Sequence, residues 1–146
     1  MSLLLAACHE QAPSTTRLPG TLRLSSDTAG VLVDGAARAM TCGIDTTTAI
    51  VAVGDAWAAA ISMRVTQGDG TRELSAAPSF AQPGSAVVAL RSLGDSLHAW
   101  LSSEGTVRVA IGDSVSGTFE ATVMRDSFSM RVSGEFSAPE LLQGCP

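Results

Sequence analysis

The chain has 146 residues, 45% of them hydrophobic and 16% charged, which suffices for one domain with a hydrophobic core. This apolar content excludes an intrinsically disordered protein, and no apolar run in the body approaches the roughly 20 residues that span a bilayer as a helix. All 9 basic residues are arginines scattered singly along the chain, against 14 acidic residues, for a formal charge of -5. Nucleic acid binding needs a basic stripe, so we expect no nucleic acid partner.

The N-terminus places a leucine and two alanines directly before a cysteine, in the sequence Leu5-Ala6-Ala7-Cys8. This tetrapeptide resembles the lipobox of small bacterial lipoproteins of unassigned function, in which a linker and one β domain follow a lipidated cysteine. The resemblance implies that Cys8 carries a lipid and anchors the chain to the cell envelope, facing the periplasm or the cell exterior.

Residues 1–8 lack the basic start and the apolar stretch of about 7–15 residues that a secretory signal contains. We therefore interpret them as a truncated or misassigned lipoprotein signal segment. The alternative is a partly apolar N-terminus with no signal function. Residues 9–20 hold two prolines and several hydroxyl side chains, a composition that predicts a flexible tether. Residues 21–146 are then expected to form a single β domain.

Two cysteines, Cys42 and Cys145, remain once Cys8 is assigned to the anchor. An even number of remaining cysteines in an exported protein predicts a disulfide between them, which would close a loop of roughly 100 residues. The alternative is a pair of buried reduced thiols. The sequence contains no Cys or Cys/His pattern with metal-ligand spacing, so we expect no metal site.

From Thr21 onward the main signal is alternation of apolar and polar residues with period two. The clearest strand runs from Trp57 to Val65, with Ala59, Ile61 and Met63 on its apolar face. Three shorter apolar runs also read as strands, and the first two end at turn residues: Val31–Val33 before Asp34-Gly35, Ala49–Val53 before Gly54-Asp55, and Ala86–Leu90. Residues 36–40 are alanine-rich and favour neither a helical turn nor a strand.

The segment from Ser75 to Ser85 is irregular, and its Phe80 either caps an open end of the fold or lines a binding rim. Beyond it, apolar alternation in 97–101 and 107–111 flanks Ser103-Glu104-Gly105. This arrangement predicts a hairpin with a three-residue loop, which sets Leu101 opposite Val107.

The motif Val-Ser-Gly-x-Phe-x-Ala occurs twice, beginning at Val115 and at Val132. We expect the two copies to form a hairpin that turns at Arg125-Asp126. This register pairs Gly117 with Gly134 and Glu120 with Arg131. The repeat is interpreted as structural, and the alternative is a duplicated ligand motif.

Pro139 opens a segment, ending at Gln143, that predicts a helical turn. The chain as a whole is expected to be all-β, an antiparallel sandwich or flattened barrel of about six to eight short strands.

Catalytic machinery is poorly represented in this sequence, and we expect a non-enzyme with no catalytic residue and no cofactor. His98, a serine and Asp95 would formally supply a triad, but no nucleophile elbow is present. His98 and Trp100, with Phe80, are the candidates for a binding rim. The leading hypothesis is a lipid-anchored binding or structural module whose partner is an envelope protein. The alternatives are a carrier with a barrel cavity for a small apolar ligand, and an enzyme-inhibitor type of lipoprotein.

Overall fold

The computed structural model describes residues 20–42, 47–64, 70–79, 84–139 and 141–143. These residues form ten β-strands and no helix, with the bounds β1 Gly20–Ser26, β2 Gly30–Cys42, β3 Thr47–Val53, β4 Trp57–Arg64, β5 Gly70–Ala76, β6 Ser85–Ser92, β7 Asp95–Ile111, β8 Val115–Arg125, β9 Phe128–Ala138 and β10 Leu141–Gln143. The prediction of an all-β fold is confirmed. β1 begins at Gly20, the residue expected to end the tether.

Strands β1 to β9 close into a single mixed barrel, with the order β1-β9-β8-β7-β5-β6-β4-β3-β2 and a direct pairing of β2 with β1. Every pairing around the barrel is antiparallel except the short one between β5 and β6. The expected sandwich and the expected strand number are both wrong. Closure pairs both edges of the sheet, which a two-layer sandwich would leave open.

The barrel interior is filled by side chains from alternate positions of every long strand. The largest of those with less than 2% exposure are Leu22, Leu24, Ile50, Ile61, Met63 and Leu90. Each such side chain contributes about 1.5–3 kcal/mol by leaving water. The period-two pattern predicted for residues 57–65 is confirmed as far as Met63, because Ala59, Ile61 and Met63 are all buried.

Strand β7 is one continuous strand of 17 residues, so the hairpin predicted between Leu101 and Val107 is wrong. The first part of β7 pairs with β6, and its last part pairs with β5. The sequence Ser103-Glu104-Gly105 marks a bulge at this change of partner, not a turn. Gly105 has a φ of 132°, which suits a bulge and which residues with a Cβ rarely adopt.

The buried hydroxyl of Ser102 lies where the pairing partner of β7 changes from β6 to β5. It donates a hydrogen bond of 2.7 Å to the carbonyl of Ala77, just after β5. It accepts one of 3.0 Å from the backbone N–H of Val88 in β6. Ser102 is 0% exposed, so it satisfies backbone groups that water does not reach.

Strand β2 also runs through a predicted turn. Asp34-Gly35 lies inside the strand, paired with Arg23 and Leu22 of β1. Residues 36–40, which the sequence left open between helical turn and strand, continue β2. Two partners hold β2 extended, since β1 pairs with its first part and β3 with its second.

The hairpin of β8 and β9 forms as predicted but in a register shifted by two residues. The turn is Asp126-Ser127, with Asp126 in the left-handed region at φ 55°, which aspartate tolerates better than most residues. A shift of two preserves the inward face, because side chains alternate with period two. The predicted pairings of Gly117 with Gly134 and of Glu120 with Arg131 are wrong.

Each glycine of the repeated motif instead faces the phenylalanine of the other copy. Gly117 pairs with Phe136, and Phe119 pairs with Gly134. The two rings are stacked with their centroids 6.4 Å apart. The space that a glycine leaves is thus covered by an aromatic ring, which accounts structurally for the duplicated motif.

The predicted C-terminal helical turn is wrong, because Leu141–Gln143 is the strand β10. It pairs in parallel with Ala39–Thr41 of β2. β2 extends past the first residue of β1, which pairs with Ala37. β10 therefore pairs with the part of the β2 edge that β1 does not reach.

Candidate functional site

Four hairpin turns meet at one end of the barrel, and we call this end the distal rim. They are the turns β1–β2, β3–β4, β6–β7 and β8–β9. Because neighbouring strands alternate in direction, these turns lie together and Gly20, the first residue of β1, lies at the opposite end.

Each of these turns carries or adjoins one aspartate and one exposed large apolar side chain. The pairs are Asp27 with Val31, Asp55 with Val53, Asp95 with Leu93, and Asp126 with Phe128. The apolar members are 47%, 61%, 47% and 63% exposed in that order. Single exposed apolar residues are common on protein surfaces, and these four share one end of the barrel.

Local hydrogen bonds explain why the turns adopt fixed conformations. The Ser26 hydroxyl accepts bonds of 3.2 Å and 2.8 Å from the backbone N–H groups of Thr28 and Ala29, which closes the β1–β2 turn. The N–H of Leu93 donates to the carbonyl of Ala56 at 2.9 Å and joins two neighbouring turns. This bond holds the β3–β4 and β6–β7 turns together at the rim.

An ionic cluster lies at the rim between β7 and β8. The Asp95 carboxylate is 3.0 Å from Nδ1 of His98 and 3.5 Å from Nη1 of Arg125. The Arg125 guanidinium lies over the Trp100 ring, 5.9 Å from its centroid. The register places Trp100 beside Leu90, half-buried at the upper edge of the core.

Two buried N–H groups of this cluster, Nε of Arg125 and Nε1 of Trp100, have no hydrogen-bond acceptor among the described residues. Buried donors without acceptors cost free energy of folding, about 1–3 kcal/mol for each.

His98 and Asp95 supply two members of a catalytic triad. Among the described hydrogen bonds none joins a serine hydroxyl to the His98 ring. The cluster thus offers binding contacts: a cation, an anion, an imidazole and apolar surface.

The structure brings two of the three residues predicted to form a binding rim, His98 and Trp100, into one cluster. The third, Phe80, lies outside the described residues, as do the lipidation candidate Cys8 and the disulfide candidate Cys145. Cys42 is the last residue of β2, and its side chain also lies outside the described part. Sequence reasoning did not identify Arg125 and Phe128 as candidate site residues. Their position beside the turn at Asp126 is the signal that could have found them.

Two other surfaces flank the rim. The outer face of β1, β9, β8 and β7 is polar, with a hollow of about 540 Å³ that Arg23, Arg108, Glu120 and Glu135 help to line. The outer face of β3, β4 and β6 is apolar, with a groove of about 200 Å³ that alanines line. Both openings lie on the outside of the barrel, whose described interior positions are filled by side chains.

Within the described ranges, no group of three or more His, Cys, Asp or Glu side chains could hold a metal ion. The same residues contain no helix long and apolar enough to cross a membrane. No protein-family model, no curated protein and no solved structure matches this chain.

Proposed function

We propose that this protein is a non-enzymatic module, tethered to the bacterial cell envelope through a lipid on Cys8, that binds an envelope protein with its distal rim. The anchor is the expectation drawn from Leu5-Ala6-Ala7-Cys8. The observation that carries the binding role is the set of four hairpin turns, each exposing one large apolar side chain beside an aspartate.

The position of the rim supports this role. Gly20 enters the barrel at the end opposite the rim, so an anchor before it holds the turns away from the lipid. Hairpin turns on a closed barrel are rigidly placed, and recognition residues commonly occupy such loops. Partner binding would cover side chains that are up to 63% exposed in the free protein.

The composition of the rim indicates what kind of partner fits. Its four turns carry or adjoin Asp27, Asp55, Asp95 and Asp126, and the arginines beside them are Arg125 and Arg131. A partner surface that combines apolar and basic side chains would complement these turns. A carrier of small apolar ligands is less well supported, because the described core positions hold packed side chains rather than an open cavity.

The anchor is tested by the intact mass of the protein isolated from its own membrane fraction without reductant. A lipid-sized addition on Cys8 supports the proposal, and an unmodified N-terminus refutes it.

The rim is tested by photo-crosslinking in the cells that make the protein. A photoreactive residue replaces either Phe128 at the rim or Thr118 on the polar outer face, which serves as the matched control. We expect one protein adduct of defined mass from position 128 and none from position 118. Replacing Val53 with serine in the first variant should reduce that adduct. Equal adducts from both positions, or none from either, would refute partner binding at the rim.

A further inference from the structure

An unbroken apolar row crosses the outside of the barrel. Register places Val51, Ala60, Ala89, Leu101 and Met124 side by side on five consecutive strands, β3, β4, β6, β7 and β8. All five point away from the core, because their chain neighbours are the inward residues of each strand. We call this row, with the outward side chains of β3, β4 and β6, the apolar flank.

The flank is accessible to solvent in the free protein. Leu101 is 37% exposed and Met124 is 41% exposed. Beside them, alanines at positions 58, 60, 89 and 99 leave a groove of about 200 Å³. Outward faces of barrels in water are normally polar, so an apolar face of this extent indicates a contact surface.

The charged side chains on β4 and β6 are arginines and β3 has none, whereas Asp55 and Asp95 lie at the end of the flank next to the distal rim. Arg38 continues the apolar row on β2, Arg91 lies between Ala58 and Ala99, and Arg64 ends β4. None of the described outward positions on β3, β4 and β6 is acidic. Arg38 and Arg91 form no ion pair with a described residue, whereas Arg23 and Arg108 on the polar face each have a carboxylate partner. A protein of formal charge -5 therefore presents one apolar face with arginines along it.

We infer that the apolar flank rests on the anionic surface of the bilayer to which the chain is tethered. Apolar side chains beside arginines are the combination that binds a lipid interface, through burial of apolar area and attraction to anionic headgroups. This inference rests on the proposed envelope location and on the proposed anchor at Cys8, but not on a partner at the rim.

The length of the tether agrees with this placement. If residues 9–19 form the predicted tether, they span roughly 18 Å on average. This distance is shorter than the wall of the barrel, because the 11 residues of β8 extend about 36 Å. The barrel is therefore held close enough for its side to reach the membrane.

A second copy of the chain fits the flank less well. A two-fold contact between identical flanks would bring Arg38 and Arg91 of both copies into one interface, and β3, β4 and β6 carry no described acidic residue to offset them. An anionic surface removes this repulsion.

The test measures vesicle binding by the full chain carrying Cys8→Ser, which removes the lipid. The vesicles are phosphatidylcholine with about one third phosphatidylglycerol, and pure phosphatidylcholine is the reference. We expect cosedimentation with the anionic vesicles that weakens as salt rises. Each arginine at a lipid surface accounts for about a fivefold change in affinity, so Arg38→Gln with Arg91→Gln should weaken binding roughly 25-fold.

The matched control removes the same charge from the polar face through Arg23→Gln with Arg108→Gln. It should change affinity by less than about threefold, since these side chains lie away from the flank. Leu101→Gln should weaken binding without changing the net charge. Melting temperatures of all variants confirm that they remain folded.

Three results would overturn the inference. These are absence of binding to anionic vesicles, equal loss in both double variants, and a dimer in analytical ultracentrifugation that Leu101→Gln dissociates. The vesicle assay contains neither a lipid anchor nor a partner protein, so its failure is distinct from failure of the mass and crosslinking tests.

Discussion

Gly134→Ala should destabilise the barrel more than any ordinary glycine-to-alanine change. A Cβ at position 134 would overlap the backbone carbonyl of Arg23 on β1 and come within 2.8 Å of Cζ of Phe119. The phenylalanine ring has room to shift only by disturbing its stack on Phe136. The carbonyl belongs to a paired strand and shifts only if β1 and β9 separate.

The expected cost is about 3 kcal/mol, the upper end of the range for forcing extra atoms into a packed site. For a domain of this size, that cost lowers the melting temperature by roughly 6–12 °C. Gly112→Ala is the matched control, because nothing lies within 4 Å of the Cβ it would add. It should change stability by no more than about 0.5 kcal/mol, or increase it slightly through the unfolded state.

Urea unfolding followed by circular dichroism measures both variants beside the wild-type chain. The slope of the unfolding free energy against urea should stay constant, because both variants expose the same surface on unfolding. If Gly134→Ala and Gly112→Ala unfold at the same urea concentration, the close approach of β1 to β9 at this glycine does not exist.

Further predictions concern the hydrogen bonds, the rim and the cysteines. Ser102→Ala leaves the buried N–H of Val88 without an acceptor and should cost about 1–3 kcal/mol in urea unfolding, whereas Ser103→Ala on the exposed face should cost little. Equal stability of the two variants would contradict the role given to the Ser102 hydroxyl. Phe128→Ser should leave the melting temperature within a few degrees of wild type, since the side chain is 63% exposed, while abolishing adducts from a photoreactive residue at Leu93. Cys145→Ser should lower stability by up to about 4–5 kcal/mol in the oxidised protein only, and the same loss under full reduction would exclude a disulfide.

Local patterns predicted the strands well and their ends poorly. Alternation located β4 and the inward face of the β8–β9 hairpin, because side-chain period depends only on neighbouring residues. Asp34-Gly35 and Ser103-Glu104-Gly105 have turn composition, yet both lie inside strands, where β1 pairs with the first and β8 with the second. Turn composition permits a turn, and pairing with distant strands decides whether one forms.

The register of the last hairpin shows the same limit at a finer scale. A shift of two residues leaves every inward side chain inward, so the hydrophobic pattern cannot distinguish the two registers. The conformation of Asp126 at the turn and the packing of Phe119 over Gly134 separate them.

The candidate site was predicted only in part. His98 and Trp100 are two residues apart, so a shared strand was readable from the sequence. Their association with Arg125, and the meeting of four turns at one rim, require the closed order of strands.

The sequence alone determined the all-β class, the alternating core positions and the expectation of an anchor at Cys8, because each depends on residues close together in the chain. Only the tertiary structure decided the closure of the barrel, the continuity of β2 and β7, the distal rim and the apolar flank. These features depend on which distant strands pair, and strand pairing is a property of the whole chain that no local pattern encodes.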